Sequence, residues 1–152
     1  MDKWGMIVGG TLVAGILAVG WQLWKPVPST VGHSMETPVT GKTGAGAPIV
    51  KVKLPDALSA NAQIGERAFE AKCASCHGKN AVGQNGVAPP LIHKIYEPSH
   101  HADMAFVLAV RNGVRSHHWP FGDMPPVEGL TQADVQYIAK YVRELQRENG
   151  IK

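Results

Sequence analysis

The chain has 152 residues, of which 15 are basic and 12 acidic, for a net charge of +3. That length supports one domain of about 100 to 150 residues and excludes two full-sized catalytic domains. The basic residues form no run, so nucleic-acid binding has little support. The two cysteines are too few and too close together to staple a small disulfide-rich fold. They need a local chemical explanation.

The N-terminal segment Trp4–Trp24 carries no charged residue. As a helix, its 21 residues would extend about 31 Å, which matches the ~30 Å hydrocarbon core of a bilayer. Tryptophans at both ends and the flanking Lys3 and Lys25 are typical of membrane interfaces. The sequence therefore predicts a single transmembrane anchor in residues 1–25, in contact with membrane lipid.

A cleaved signal peptide is the alternative interpretation of this segment, with Ala18-Val19-Gly20 as the cleavage site. A signal peptide has an apolar stretch of about 7 to 15 residues behind a clearly positive start. Here the apolar run is longer, and Asp2 offsets the charge of Lys3. These features favour a retained anchor.

Residues 26–55 are rich in proline and glycine and poor in apolar side chains. A segment of this composition cannot bury enough apolar surface to fold by itself, so it is predicted to be a flexible linker. The linker would tether the remaining domain, residues 56–152, to the anchor.

Residues 56–152 contain three helical patterns and no convincing alternating strand pattern, which predicts an all-α domain. Asn61 is predicted to cap the first helix and Ser99 the second, and Asn112-Gly113 is predicted to end the second. Apolar residues on the predicted inner faces are Ile64, Ala68 and Phe69 in the first helix and Met104, Val107, Leu108 and Val110 in the second.

The third helical pattern is the clearest, because Thr131 and Asp134 form a start like a capping box and Gly150 lies just past its end. Its apolar residues repeat at helical spacing and are Val135, Ile138, Ala139, Val142 and Leu145. Three modest helices in about 95 residues offer a thin hydrophobic core, so a further group is expected to fill the middle.

The motif Cys73-Ala74-Ser75-Cys76-His77 suggests what that group is, since Cys-x-x-Cys-His is the attachment signature of c-type haem. In this chemistry Cys73 and Cys76 each add across one haem vinyl group, so both sulfurs must reach the porphyrin edge from a single helical turn. The next residue, His77, then lies under the ring, where its nitrogen is the expected proximal ligand of the iron.

Two other chemistries use closely spaced cysteines. A zinc site would need two more ligands at finger-like spacing, but the nearest histidine pairs, His100-His101 and His117-His118, lie more than twenty residues away. A redox dithiol would be expected beside a βαβ pattern, which the sequence lacks, and would not need His77. Haem attachment is therefore the favoured interpretation.

With these motifs in place, Ser59–Gln146 resembles the class I c-type cytochromes. The resemblance implies a cytochrome c-like helical fold around one covalent haem c. It also implies that Gly65 and Phe69 of the first helix pack against Ile138 and Tyr141 of the last helix, in the helix crossing typical of the family.

Two loops carry further parts of the resemblance. Pro89-Pro90-Leu91 is similar to the family's Pro-x-Leu element, which implies that the carbonyl of Pro89 accepts the N–H of His77 and that Pro89 and Leu91 belong to the cofactor site. Met124-Pro125-Pro126 is similar to the family's distal methionine loop, which implies that Met124 is the second iron ligand.

Ligand chemistry independently supports Met124. A thioether is a soft, neutral ligand that favours ferrous iron, and the two following prolines stiffen the loop that carries it. The alternatives are that Met124 only packs, or that Met104 is the ligand, although the helical position of Met104 suits core packing.

The sequence departs from the family pattern in Arg115–Asp123, a longer approach to the methionine. Within it, Trp119 is predicted to pack on the haem edge. His117 or His118 could displace Met124 as ligand, although surface positions are favoured for both. Arg111 and Arg115 could pair with haem propionates or be solvated. Copper binding at the two histidine doublets has no support beyond residue type.

An iron held by His77 and Met124 has no open position, so the predicted function is one-electron transfer with redox proteins and without a small-molecule substrate. The sequence favours a tethered carrier between membrane complexes. A fixed cytochrome subunit of a dehydrogenase or oxidase and a haem-based sensor or enzyme are the alternatives. Because family members are matured outside the cytoplasm, the resemblance implies a haem domain in a bacterial periplasm or an equivalent space. Together with the predicted anchor, this gives an inner-membrane protein with its haem domain on the periplasmic side.

Overall fold

The computed structural model describes residues 20–21, 24, 36–37 and 44–152, and the chain divides into two units at residues 34 and 35. In the first unit the described residues Gly20, Trp21 and Trp24 are helical. The rest of the predicted anchor Trp4–Trp24 lies outside the described residues. Within the part of the chain that is described, no helix has the length and apolar character needed to cross a bilayer.

The second unit is helical. Its α-helices are α1 (Ala60–Lys72), α2 (Ala74–His77), α3 (Asp103–Asn112) and α4 (Gln132–Glu148), and 3₁₀ turns lie at Lys79–Ala81 and Lys94–Tyr96. Between residues 44 and 152, β pairing is limited to two isolated bridges, one joining Gln84 to Ala88 and one joining Val114 to Met124. The prediction of an all-α domain is confirmed.

Helix α1 begins two residues earlier than predicted. Ser59 is its N-cap, and the hydroxyl of Ser59 accepts a hydrogen bond from the backbone N–H of Ala62. Asn61 therefore lies inside the helix, and its prediction as the cap was wrong. Since the buried residues are Ala62, Gly65 and Phe69, Ile64 lies at the margin of the buried face with 38% of its surface exposed.

The crossing of α1 and α4 brings two backbones into close contact at Gly65. A Cβ atom on Gly65 would lie 1.9 Å from the carbonyl oxygen of Tyr137, so the crossing requires a residue without a side chain. One turn further, the rings of Phe69 and Tyr141 pack with their centroids 5.6 Å apart, and both residues are fully buried. The predicted contact between these two helices, including Ile138, is confirmed.

Helix α4 is the main structural element of the core. The hydroxyl of Thr131 accepts from the backbone N–H of Asp134, and the carboxylate of Asp134 accepts from the backbone N–H of Thr131, which completes the predicted capping box. All five apolar residues predicted for its inner face are buried. Gly150 follows the helix with a φ of +77° and confirms the predicted end.

Helix α3 starts later than predicted. Ser99 lies in a turn in which the carbonyl of Glu97 accepts from the backbone N–H groups of His100 and His101, so Ser99 cannot cap the helix. The N-cap is Ala102, without a side-chain bond. The predicted end at Asn112-Gly113 is confirmed.

The inner face predicted for α3 is only partly correct. Val107 and Val110 are partly buried, but half of the surface of Met104 and of Leu108 is exposed, so neither residue packs in the protein core. The face of α3 that packs inward includes Phe106, which contacts the core cluster.

Part of the predicted linker is attached to the domain. Within residues 46–53, the backbone N–H of Val50 donates to the carbonyl of Val82, and Lys53 exchanges two hydrogen bonds with the side chain of Asn149. The predicted boundary at residue 55 is therefore too late. Composition alone missed this because Val50 and Val52 supply the few apolar contacts that dock the segment.

Candidate functional site

The Cys-x-x-Cys-His motif forms one helical turn. Helix α1 ends at Lys72, Cys73 forms the junction, and the backbone N–H groups of Cys76 and His77 both donate to the carbonyl of Cys73, at 3.1 and 2.9 Å. The thiol of Cys73 is partly buried and that of Cys76 is exposed, and both are free. The fold thus places two sulfurs and one imidazole on a single turn at the end of α1.

A following loop holds this turn in place. The side-chain amide of Gln84 donates to the carbonyls of Ala74 and Ser75, at 3.2 and 2.8 Å. The backbone N–H of Gly83 donates to the carbonyl of His77 at 2.7 Å. These bonds satisfy carbonyls at the end of a very short helix, which otherwise lacks the internal bonds to be stable.

The imidazole of His77 is oriented by Pro89. Its Nδ1 lies 2.9 Å from the carbonyl oxygen of Pro89, and a carbonyl only accepts, so Nδ1 carries the proton and Nε2 keeps a free lone pair. Burial lowers the pKa of His77, and the bond to Pro89 opposes that shift. The structure thus contains the contact that the resemblance implied, and a neutral imidazole held by a carbonyl is a typical metal ligand.

Leu91 fixes the same loop from the other side. Its backbone N–H donates to the carbonyl of Ala81 at 3.0 Å, and its own carbonyl accepts from the side-chain amide of Gln146 at 2.8 Å. Gln146 is buried on α4. The loop that carries Pro89 is therefore attached both to the turn after the motif and to α4.

The environment of Cys73 disfavours redox dithiol chemistry. Burial raises the pKa of its thiol to about 11, and the charge of Cys76 adds to the rise. A catalytic dithiol needs the opposite, a pKa lowered toward neutrality. A zinc site at the motif has no support either. In the described part of the chain, the side chains close enough together to share a metal ion are those of His100, His101 and His118, and none of them belongs to the motif.

Met124 lies on the loop between α3 and α4 and is partly buried. Its backbone N–H and carbonyl both pair with Val114, at 2.9 Å each. Gly113 makes this approach possible, because its φ is +73° and a Cβ atom there would lie 2.5 Å from the carbonyl oxygen of Met124. The end of α3 therefore fixes the backbone of the methionine loop.

Trp119 is buried, with 6% of its surface exposed, and its ring contacts His93 edge-on and stacks on Phe121. Its indole N–H has no hydrogen-bond partner among the described residues. Burial raises the pKa of Tyr96, and the nearby Trp119 opposes that rise, but the indole N–H and the Tyr96 hydroxyl do not reach hydrogen-bonding geometry. A buried, unpaired N–H of this kind requires an acceptor.

A covalent haem fits these residues. The two thiols on one turn match two vinyl attachments, and the free Nε2 of His77 matches an iron ligand. The unpaired indole N–H of Trp119 would be satisfied by an acceptor such as a propionate carboxylate. Arg111 and Arg115 are exposed, so a propionate partnership for either stays a prediction.

Comparison with known families also supports a covalent haem in this domain. A family model described as cytochrome c matches residues 62–146, more than half of the chain. The chain belongs to the cytochrome c family. Searches of the curated proteins and of the solved structures found no match to it.

Membership of this family has direct consequences for the cofactor and the role of the protein. The cytochrome c domain binds haem c covalently, with its iron, and is a haem-based electron carrier whose partners are redox proteins. The individual assignments of Cys73, Cys76, His77 and Met124 remain predictions that rest on the motif and on the geometry above.

Sequence reasoning missed the buried pair Arg143 and Gln146. Arg143 is 5% exposed and donates to the backbone carbonyls of Tyr96 and His101 and to the carboxylate of Asp103. Its guanidinium also donates to the side chain of Gln146 at 2.6 Å. The available signal was positional, because both residues lie on the apolar face of α4, where a charged side chain requires buried partners.

The two histidine doublets, His100-His101 and His117-His118, lie in contact with each other. His117 is exposed and donates from Nδ1 to the carbonyl of Arg115, and His118 lies against His100. The predicted surface position of His117 agrees with the structure, while His118 is partly buried in the contact with the other doublet.

Proposed function

We propose that this protein is a membrane-tethered, monohaem, class I c-type cytochrome that transfers single electrons between redox proteins on the periplasmic side of the inner membrane. His77 and Met124 are the proposed iron ligands, Cys73 and Cys76 the attachment residues. The single observation that carries the proposal is the 2.9 Å contact from Nδ1 of His77 to the carbonyl of Pro89, on the same turn as both thiols.

Haem c supplies a one-electron couple between ferrous and ferric iron. The residues of this chain fix the side chain that would bind the iron. Gln84 and Gly83 fix the turn that carries His77, and Pro89 fixes the orientation of its ring. An imidazole oriented by this bond would change its position little between the two oxidation states, which would favour fast electron exchange.

Met124 suits the second ligand position because its loop is held on both sides. The backbone pairing with Val114 fixes the residue, and Pro125 and Pro126 restrict the chain that follows. A thioether held in this way favours the ferrous state and raises the reduction potential. As an iron ligand, Met124 would also occupy the position that a substrate or a gas molecule would need.

The proposed tether rests on the sequence of residues 4–24, an uncharged stretch with tryptophan at both ends. The remaining linker is rich in proline and glycine and would keep the domain within reach of membrane partners, at a high effective concentration. This arrangement favours a carrier that moves between partners over a subunit that stays in one complex.

Intact-mass measurement in denaturant tests the haem number. The mass of protein made in a host that matures c-type cytochromes should exceed the mass of the chain by one haem, and acid-acetone should not extract it. Protein with bound zinc and no haem would overturn the proposal.

A redox titration of the same protein tests the function. We expect a single one-electron transition and no fast binding of carbon monoxide by the reduced protein. Rapid carbon monoxide binding would point to an open iron position and to a sensor or an enzyme.

Membrane fractionation tests the tether. The full chain should require detergent, whereas a shorter chain that starts at Gly44 behind a cleavable export signal should be soluble with the same visible spectrum. Native protein that begins after Gly20 would contradict a retained anchor. Co-purification of stoichiometric partner subunits in mild detergent would favour a fixed subunit over a mobile carrier.

A further inference from the structure

We propose that His100, His101 and His118 form a binding site for a divalent transition-metal ion of the zinc type, separate from the haem iron. The three side chains come from two loops that are distant in sequence, and each offers one ring nitrogen. These three nitrogen atoms all lie within 4.8 Å of one another.

The spacing of two of these atoms matches a metal-bound pair. Nε2 of His100 lies 3.4 Å from Nε2 of His118. Two nitrogens that bind one zinc ion at about 2.05 Å with a tetrahedral angle lie about 3.35 Å apart. The rings therefore need little movement to accept an ion between them.

His101 is already oriented as a ligand. Its Nδ1 lies 2.6 Å from the carbonyl of Ile95, so Nδ1 carries the proton and Nε2 is left with a lone pair. A metal-bound histidine commonly donates its other N–H to a carbonyl in this way, which fixes the ring and strengthens it as a donor.

The loops that carry the histidines are themselves fixed. The carbonyl of Glu97 accepts from the backbone N–H groups of His100 and His101, and Arg143 donates to the carbonyl of His101. On the other loop, the backbone N–H of Ser116 donates to the carboxylate of Asp123 at 2.8 Å. Preformed loops reduce the ordering cost of binding an ion.

Three imidazoles favour a late first-row ion over calcium or magnesium, which prefer oxygen ligands. A set of three histidines leaves a position for water or for a fourth ligand on zinc. His117 is next to the site, but its nitrogen is not among the three, and its ring is held by Arg115. We therefore take it as the matched control.

Such an ion would join the loop before α3 to the loop that carries Met124. His118 lies six residues before Met124, so an ion at this site would restrict the segment that approaches the methionine. Binding to the folded state alone raises the unfolding temperature by mass action.

The test is calorimetric titration of the haem-containing protein with Zn²⁺ after removal of metal by a chelator. We expect one Zn²⁺ per chain and an increase in the unfolding temperature. His100→Gln and His118→Gln should each weaken Zn²⁺ binding at least tenfold and remove the increase, whereas His117→Gln should change the affinity by less than about threefold.

His100 is exposed, so its substitution does not threaten folding, and an unchanged visible spectrum checks this for each variant. Absence of Zn²⁺ binding by the wild-type protein would overturn the proposal. Equal Zn²⁺ affinity in the wild-type, His100→Gln and His118→Gln proteins would overturn it as well. A loss in His117→Gln as large as in His118→Gln would contradict the three-histidine set.

Discussion

The helix pair α1–α4 and the loops at residues 78–102 and 113–131 position their residues in different ways. The helices meet through a buried apolar face, and one residue without a side chain, Gly65, sets how closely they approach. The loops carry Pro89, Trp119 and Met124, and they are held by individual hydrogen bonds rather than by periodic packing.

This difference has a physical consequence for stability and for ligand geometry. A change at the helix crossing disturbs the whole core, because the contact is between two backbones. A change in a loop removes one or two bonds and shifts a single side chain. Substitutions in the crossing should therefore affect folding, and substitutions in the loops should affect the iron environment first.

Gly65→Ala should have the largest effect. The added Cβ would lie 1.9 Å from a backbone carbonyl oxygen that cannot move without separating the helices. Overpacking usually costs about 1 to 3 kcal/mol, and a backbone clash should exceed about 3 kcal/mol in denaturant unfolding. Arg67→Ala, an exposed substitution on the same helix, should change stability by less than about 0.5 kcal/mol. A cost below about 1 kcal/mol for Gly65→Ala would disprove the close crossing.

Arg143→Met should come next, at about 3 kcal/mol, because it leaves the carbonyl of His101 and the side-chain oxygen of Gln146 without the donor that Arg143 supplies. It also removes one of the two donors to the carbonyl of Tyr96. Equilibrium unfolding measures the loss. Arg147→Met is the control, since the Arg147 side chain is 59% exposed and its ion pair is weak. Equal effects of the two substitutions would mean that the buried network does not hold the 78–102 loop.

Gly113→Ala should cost about 2 kcal/mol and should disturb the methionine loop at the same time. Its φ of +73° strains an alanine, and the added Cβ would lie 2.5 Å from the carbonyl oxygen of Met124. The near-infrared sulfur-to-iron band of the oxidised protein should weaken. Arg111→Ala, exposed on the last turn of α3, should leave the band unchanged. If Gly113→Ala kept the full band, the end of α3 would not be what fixes the loop that carries Met124.

Ser59→Ala should have the smallest effect, about 1 kcal/mol, because it removes the N-cap bond to Ala62. It also removes a 2.6 Å bond to the carboxylate of Glu144. Asn61→Ala should be neutral or slightly stabilising, since alanine is the better residue inside a helix. Thermal unfolding of both variants distinguishes the two candidate caps. A lower unfolding temperature for Asn61→Ala than for Ser59→Ala would show that Asn61 is the cap.

Periodicity predicted the part of the fold that periodic packing builds. The inner face of α4 was predictable because a helix repeats its buried side every three to four residues, and its capping box was predictable from the spacing of Thr131 and Asp134. The contact of Phe69 with Tyr141 was predicted from the family resemblance and not from periodicity. The caps Asn61 and Ser99 were predicted wrongly, because several polar residues near a helix start can act as caps and only tertiary contacts decide between them.

The candidate site was predictable where a fixed spacing encodes the chemistry, as in Cys73, Cys76 and His77. The buried role of Arg143 was not, because its partners are backbone carbonyls of a loop far along the chain. The contact between His100 and His118 could not be predicted either, since no local sequence pattern indicates which loops lie side by side.

The near-infrared band of the oxidised protein, compared between Met124→Ala and Met104→Ala, tests the central claim of a His77/Met124 electron carrier most directly. Met124→Ala should abolish the band, lower the reduction potential and allow carbon monoxide to bind the reduced protein, because the soft ligand is lost. Met104→Ala should change none of these, because the second iron ligand is assigned to Met124. A band that survives in Met124→Ala, or that disappears in Met104→Ala, would contradict the assignment.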